Sequence, residues 1–151
     1  MLIDLSRDQG EWFPFQQSHI DPITGEPIFD PPASEAAVQV RSLAPFYEAR
    51  IAKRERKVEH VYNPKTRAME RISYIEELSP AAARAEAEDA FDYAITGLKG
   101  FEDSRTGEEL KCDRATKIAL MQVPVFDRFI ARCFKLLAAS GIKEREDTEK
   151  N

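Results

Sequence analysis

The stretch SPAAARAEAEDAFDYAITGLKG, residues 79–100, opens with a hydroxyl side chain followed by proline. That pairs a helix N-cap with a first helical position that needs no N–H. Ala81 to Leu98 is rich in good helix formers. Within it Ala87, Phe91, Ala94, Ile95 and Leu98 recur at spacings of three and four, while Glu86, Glu88, Asp89 and Asp92 cover the other side. Gly97 and Gly100 close the element. The spacing predicts an amphipathic helix whose single apolar stripe needs a partner layer.

Toward the C-terminus, Phe101 to Leu110 reads as a loop, with the turn-rich Asp103-Ser104-Arg105-Thr106-Gly107-Glu108 at its centre. Asp113 can cap a helix from Arg114 to Met121, and Val123-Pro124 interrupts it because proline disfavours helix in the residue before it. A last helix is predicted from Val125 to about Ser140, with Phe126, Phe129, Ile130, Cys133, Phe134 and Leu137 on one broad face and Gly141 as its stop. Residues 143–151 are nearly all polar and read as a disordered tail.

Toward the N-terminus, Val58–Val61 and Arg71–Ile75 read as two strands joined by the turn Asn63-Pro64-Lys65-Thr66, with helix across 67–76 as the alternative. Ala44 to Lys57 reads as a helix that accepts Pro45 in its first turn. Phe46, Arg50 and Arg54 share one face of it, and its end, Lys53 to Lys57, is strongly basic. Val38-Gln39-Val40-Arg41-Ser42-Leu43 alternates as a half-buried strand. Residues 11–30 suggest a hairpin between Glu11–Phe15 and Ile28-Phe29, turning at Asp21–Glu26. Pro14 and Pro27 restrict it to edge structure or an extended arm. Trp12, Phe13 and Phe15 sit in a segment too short to bury itself, so the arm packs either on its own domain or on another chain. The expected fold is α+β: a predominantly α-helical C-terminal part, a small antiparallel β-hairpin region and an N-terminal extended arm. The division is an arm or hairpin at 1–32, one domain at 33–142 and the tail at 143–151.

The chain has 151 residues, and 35 of them are Phe, Ile, Leu or Val, enough for a modest core. No apolar run approaches the roughly 20 residues that cross a bilayer. Met1 to Gly10 lacks a secretory apolar segment, and two cysteines make no disulfide framework, so an intracellular, reduced protein is expected. Charge alternates along the chain: −6 over 1–40, +5 over 41–71, −7 over 72–109 and +3 over 110–151. Such alternation suits head-to-tail association of copies or docking onto a charged partner, against the plainer reading of a solvated surface.

Reactive constellations are scarce. His19 and His60 lie in unrelated segments, and Cys112 and Cys133 are 21 positions apart with no paired metal-ligand spacing. Cys133 falls on an apolar helix face and reads as a core residue, whereas Cys112 precedes a helix start that can lower a thiol pKa. Gly97-Leu98-Lys99-Gly100 is no phosphate loop, and Asp103, Thr106, Gly107 and Glu108 lack EF-hand spacing. No cofactor or metal is expected. The basic 50–71 segment, with Tyr47 and Tyr62 for stacking, offers a nucleic-acid reading. The acidic whole chain and the interleaved Glu55 and Glu59 oppose it.

The run Phe91-Asp92-Tyr93-Ala94-Ile95-Thr96-Gly97-Leu98-Lys99-Gly100-Phe101-Glu102-Asp103, followed by Thr106-Gly107-Glu108 and Cys112-Asp113, resembles part of the tail assembly chaperones of tailed phages and prophages. In that family a helix often ends in an aromatic-glycine turn. A short acidic-to-glycine loop follows, then a capped helix leading to a proline-broken pair. Here the pair is Lys117–Met121 and Pro124–Ile130, and the strand at Val38–Leu43 followed by a helix is also similar. The resemblance spans residues 38 to 140 and rests on packing motifs. The basic 50–71 segment and the Trp12 arm depart from the simpler pattern and leave open another phage structural role, such as a minor tail component.

The resemblance implies binding without catalysis, in the host cytoplasm and away from membranes. The partners would be the tape measure protein, the tail tube protein and further copies of the chain. A tape measure protein is largely helical, and its apolar stripes need temporary cover. A groove lined by Met121, Phe126, Phe129 and Phe134 would provide it, unless these side chains fill the domain's own core. Trp12, Phe13, Phe15, Ile72 and Tyr74 are the exposed candidates, with Arg54, Arg56 and Lys57 as basic contributors.

Overall fold

A computed structural model describes residues 9–54, 56–75 and 77–150, with side chains through residue 140. The readings made of Met1–Asp8, Glu55, Glu76 and Asn151 lie outside the described residues. The fold is mixed α+β, with four helices and antiparallel sheets among the described residues.

Its centre is a three-stranded antiparallel sheet built from distant segments: β1 (Glu11–Pro14), β4 (Ala37–Val40) and β7 (Ile95–Lys99), in the order β1-β4-β7. The alternation predicted for Val38 and Val40 is present: both are buried, while Gln39 between them is only half-covered. β1 runs against β4 with Phe13 opposite Val38, so Glu11–Pro14 is a sheet strand of its own domain rather than a free arm. Its start passes so close to β4 that a Cβ on Gly10 would lie 2.3 Å from the Val40 carbonyl oxygen. Gly10 sits at φ +91°, which glycine alone adopts freely. The Thr96 hydroxyl donates to the Gln9 carbonyl and ties the same corner.

A two-stranded hairpin, β2 (Ser18–Ile20) with β3 (Pro27–Phe29), lies beside this sheet. The turn predicted at Asp21–Glu26 forms, with Gly25 N–H donating to the Asp21 carbonyl at 2.8 Å. The partner of Ile28 is His19, not the 11–15 segment, because the latter pairs with β4.

α2 (Pro80–Ala94) begins as predicted, the Ser79 hydroxyl accepting from Ala82 N–H at 3.2 Å. It ends at Ala94 rather than Leu98. Ile95 takes an extended backbone, and the β-branched Ile95-Thr96 pair opens β7. The apolar residues assigned to one helical stripe are therefore divided between a helix end and a strand that both face the core. α1 (Ala44–Lys53) is likewise shorter than predicted. Arg54 is already extended, so Arg56 and Lys57 belong to the next strand. α3 (Arg114–Met121) is capped by Asp113, whose carboxylate accepts from Thr116 N–H at 2.8 Å, and α4 starts at Pro124. Gly141 does not stop α4, whose backbone stays helical to Lys150, so the polar tail is helical through that residue.

The core sits between the inner sheet face and the helices. Val38, Val40, Phe91, Ala94, Ile95, Phe126, Phe129, Ile130 and Cys133 form one buried cluster, and Phe13, Phe15, Leu98, Phe101, Met121 and Phe134 pack around it. Phe15 is its aromatic hub, with ring centroids 5.0 Å from Phe129 and 5.2 Å from Phe101 in edge-on geometry. Removing the Phe129 ring leaves a void the sheet cannot close. Phe129→Ala is expected to cost about 3–5 kcal/mol of unfolding free energy in urea titration, against less than about 0.5 kcal/mol for Glu102→Gln on the exposed surface.

Candidate interaction surface

The remaining strands, β5 (Arg56–Asn63) and β6 (Ala68–Ile75), pair only with each other, in unbroken register from Arg56 opposite Ile75 to Asn63 opposite Ala68. The two-strand reading of this segment holds, with both strands longer than predicted. Asn63 closes the turn: its side chain accepts from Lys65 N–H at 2.9 Å, and its carbonyl accepts from Arg67 N–H at 2.8 Å. Eight residues per strand give a ribbon about 26 Å long. Apart from Asn63, Tyr74 and Ile75, its residues are exposed on both faces.

Residues opposite one another share a face, and alternate residues change face. One face carries Arg56, Val58, His60, Tyr62, Met69, Arg71, Ser73 and Ile75, with no carboxylate. The other carries Lys57, Glu59, Val61, Asn63, Ala68, Glu70, Ile72 and Tyr74. On this second face Glu59 accepts from the Tyr74 hydroxyl at 2.7 Å, and Glu70 from the Asn63 amide at 2.8 Å. Each face mixes apolar and charged groups. Tyr62 and Met69, opposite one another near the tip, stand 56% and 63% exposed.

The ribbon leaves the body at the end of α1, and charge pairs hold α1 in place. Arg54 donates to Glu86 at 2.6 Å, and Arg50 to Asp89 at 2.7 Å. Asp89 also receives Arg114 of α3 at 2.7 Å, so one carboxylate joins α1, α2 and α3. Lys117 reaches the Asp92 carbonyl at 2.9 Å. The Phe46 and Tyr93 rings meet at 5.5 Å, and the Arg41 guanidinium lies 3.7 Å over the Tyr93 ring. An open groove of about 750 Å³ runs between α1 and α2, its apolar wall formed by Pro45, Ala49, Leu78, Ala82 and Ala85.

The residues singled out from sequence separate accordingly. Arg56, Lys57, Ile72 and Tyr74 come together on the ribbon. Arg54 lies at its base, bound to Glu86. Trp12 lies across the outer sheet face, its ring over Gly97 and 5.0 Å from the Lys99 ammonium, and remains 46% exposed. Phe13, Phe15 and Met121 pack on the core, and Phe126 is 2% exposed. These four are corrected from partner contacts to core residues, because the sheet and α4 require their apolar volume. Val58, Val61 and Met69 are not among the residues singled out from sequence, and Tyr62 enters there only as a stacking group for nucleic acid. Their signal lies in the charged residues alternating with them on both faces, which leaves no apolar side to bury.

His19 lies 3.8 Å from Asp30 on the β2–β3 hairpin, while His60 lies on the ribbon. Burial pushes the Cys133 thiol up to about 12, and partial desolvation also raises Cys112 despite its place before a helix start. Both thiols are therefore protonated at neutral pH. Among the described residues no three His, Cys, Asp or Glu side chains are placed to hold a metal ion, and no helix is long and apolar enough to cross a membrane.

No family model matches this chain, and no curated protein or solved structure shows significant similarity to it.

Arg114 and Arg50, by hydrogen bonding, hold the Asp89 carboxyl below its ordinary value of 3.8. A depressed folded-state pKa stabilises fully above the unfolded value, and that stabilisation is lost as pH falls through the folded one. Asp89→Asn is expected to cost about 0.5–1 kcal/mol at neutral pH in urea titration, since the site is partly exposed. The gap to the unaltered protein should narrow as pH drops below about 4.

Proposed function

We propose that this chain acts by binding rather than by catalysis, as a tail assembly chaperone or tail component of a tailed phage. In that role it holds the tape measure protein in the host cytoplasm while tail tube subunits assemble. The observation that carries the reading is the β5–β6 ribbon, which presents Val58, Val61, Tyr62, Met69 and Ile72 to solvent on a device with no core of its own. Exposed apolar side chains interleaved with charge suit temporary cover of an amphipathic helix, since polar neighbours keep the free surface from aggregating. The resemblance over residues 38–140, read from the helix, glycine loop and proline-broken helix pair, supplies the partner class. Arg50 and Arg54, two cations of the basic 50–71 segment, are engaged by Asp89 and Glu86, which weakens the nucleic-acid reading.

Co-expression with a tape measure protein tests the proposal. The expected outcome is soluble tape measure protein with this chain and aggregated protein without it. Tyr62→Ser combined with Met69→Ser should reduce the soluble yield several-fold while leaving the melting transition unchanged. Equal solubility with and without the chain would end the chaperone reading.

A further inference from the structure

A lone two-stranded ribbon is marginal in water unless something covers a face. The described elements leave both faces of β5–β6 largely open. The two faces differ in charge. The first holds Arg56 and Arg71 beside His60, with no carboxylate, whereas the second holds Glu59 and Glu70 against Lys57. Both carry exposed apolar groups: Val58 and, near the tip, Tyr62 and Met69 on the first, Val61 and Ile72 on the second. Two first faces would oppose cation to cation, and two second faces carboxylate to carboxylate. Only a first face against a second face matches sign while burying apolar surface on both sides.

We propose that the ribbon is a self-complementary docking device: a second copy of this chain lays its carboxylate-bearing ribbon face on the cationic ribbon face of the first. At the roughly 10 Å spacing of stacked sheets, ribbons running the same way bring Arg71 near Glu70 of the other copy, and ribbons running opposite ways bring it near Glu59. The contact is heterologous, so each pair keeps one unmatched face of each kind and association grows with concentration rather than stopping by symmetry. Eight side chains per face bury on the order of 1,000 Å² in total, at the low end of specific interfaces, so the affinity is weak. This association needs no tape measure protein, so its failure and the failure of the chaperone reading are separate results.

Sedimentation equilibrium of the purified full chain over a concentration series is the test. The mean mass should rise above 17.2 kDa with concentration at low salt and fall back at about 1 M salt. Arg71→Glu alone, and Glu59→Lys with Glu70→Lys together, should each remain monomeric with the circular dichroism of the unaltered protein. Mixing the two variants in equal amounts should restore association, because each then offers the face the other lacks. A chain monomeric at every concentration, an assembly that survives both sets of substitutions, or variants that stay apart when mixed would each overturn the proposal. Survival of both sets would point instead to edge-to-edge strand pairing, which joins backbones and is indifferent to face charge.

Discussion

The inner face of one small sheet must be covered, and that requirement organises the molecule. β1, β4 and β7 come from residues 11–14, 37–40 and 95–99, so closing the sheet fixes the chain's N-terminal part against the end of α2. Val38, Val40 and Ile95 then present an apolar face that Phe91 and the Phe126, Phe129, Ile130 and Cys133 side of α4 cover. Phe15 joins the same layer from the segment after β1, and its amide donates to the Ala36 carbonyl at 2.8 Å. Once α4 is seated, Arg128 reaches back to Ser18, donating to its hydroxyl at 2.8 Å and its carbonyl at 3.0 Å. This holds the β2–β3 hairpin on the outside of the helix. Few of these contacts are local, so the loss of α4 packing would release the N-terminal strands as well.

The elements legible in the sequence are those whose signal is local. Ser79-Pro80 and Asp113 mark helix starts by side-chain hydrogen bonds that span three residues, and Val123-Pro124 breaks a helix by a steric rule between neighbours. The alternation of Val38 and Val40 marks a strand with one wet face. The misread elements depend on distant partners. Residues 95–98 continue the helical spacing of α2 but become β7 because β4 offers them a ladder, a choice that helix propensity cannot foresee. Lys53 to Lys57 looks like one basic helix end, yet the chain turns extended at Arg54, and the strand pairing of Arg56 with Ile75 decides the rest. Gly141 is a plausible helix stop that α4 passes through.

The same distinction governs the candidate surface. Aromatic residues near a terminus read equally well as an arm for another chain or as core supplied from a distance. Phe13 and Phe15 prove to be core because β4 and α4 lie where those rings land. Trp12, one residue away, faces outward by the alternation of the strand and settles over Gly97, where a Cβ would lie 2.7 Å from its ring. The ribbon residues carried a different signal. Arg56 to Asn63 and Ala68 to Ile75 alternate, but neither parity is apolar throughout, so neither face can serve as the wall of a core. A strand pattern without a buriable face marks a ribbon that stands away from the body.

The alternating charge along the chain resolves in the same terms. Much of the acidic stretch around α2 is matched within the body: Glu86 by Arg54, Asp89 by Arg50 and Arg114, Asp92 by Lys117. These pairs bind α1 and α3 to α2, so the negative segment serves cohesion more than display. The basic segment is divided differently. Arg50 and Arg54 are engaged by those carboxylates, and its ribbon half carries Arg56, Arg71 and the turn residues Lys65 and Arg67 outward with apolar neighbours. Net charge summed over residues 41–71 therefore overstates what the surface displays. The part displayed outward is a narrow ribbon, cationic on one face and carrying the carboxylates on the other. Charge laid out in that way specifies an orientation for whatever docks there, where a uniform patch would supply attraction without one.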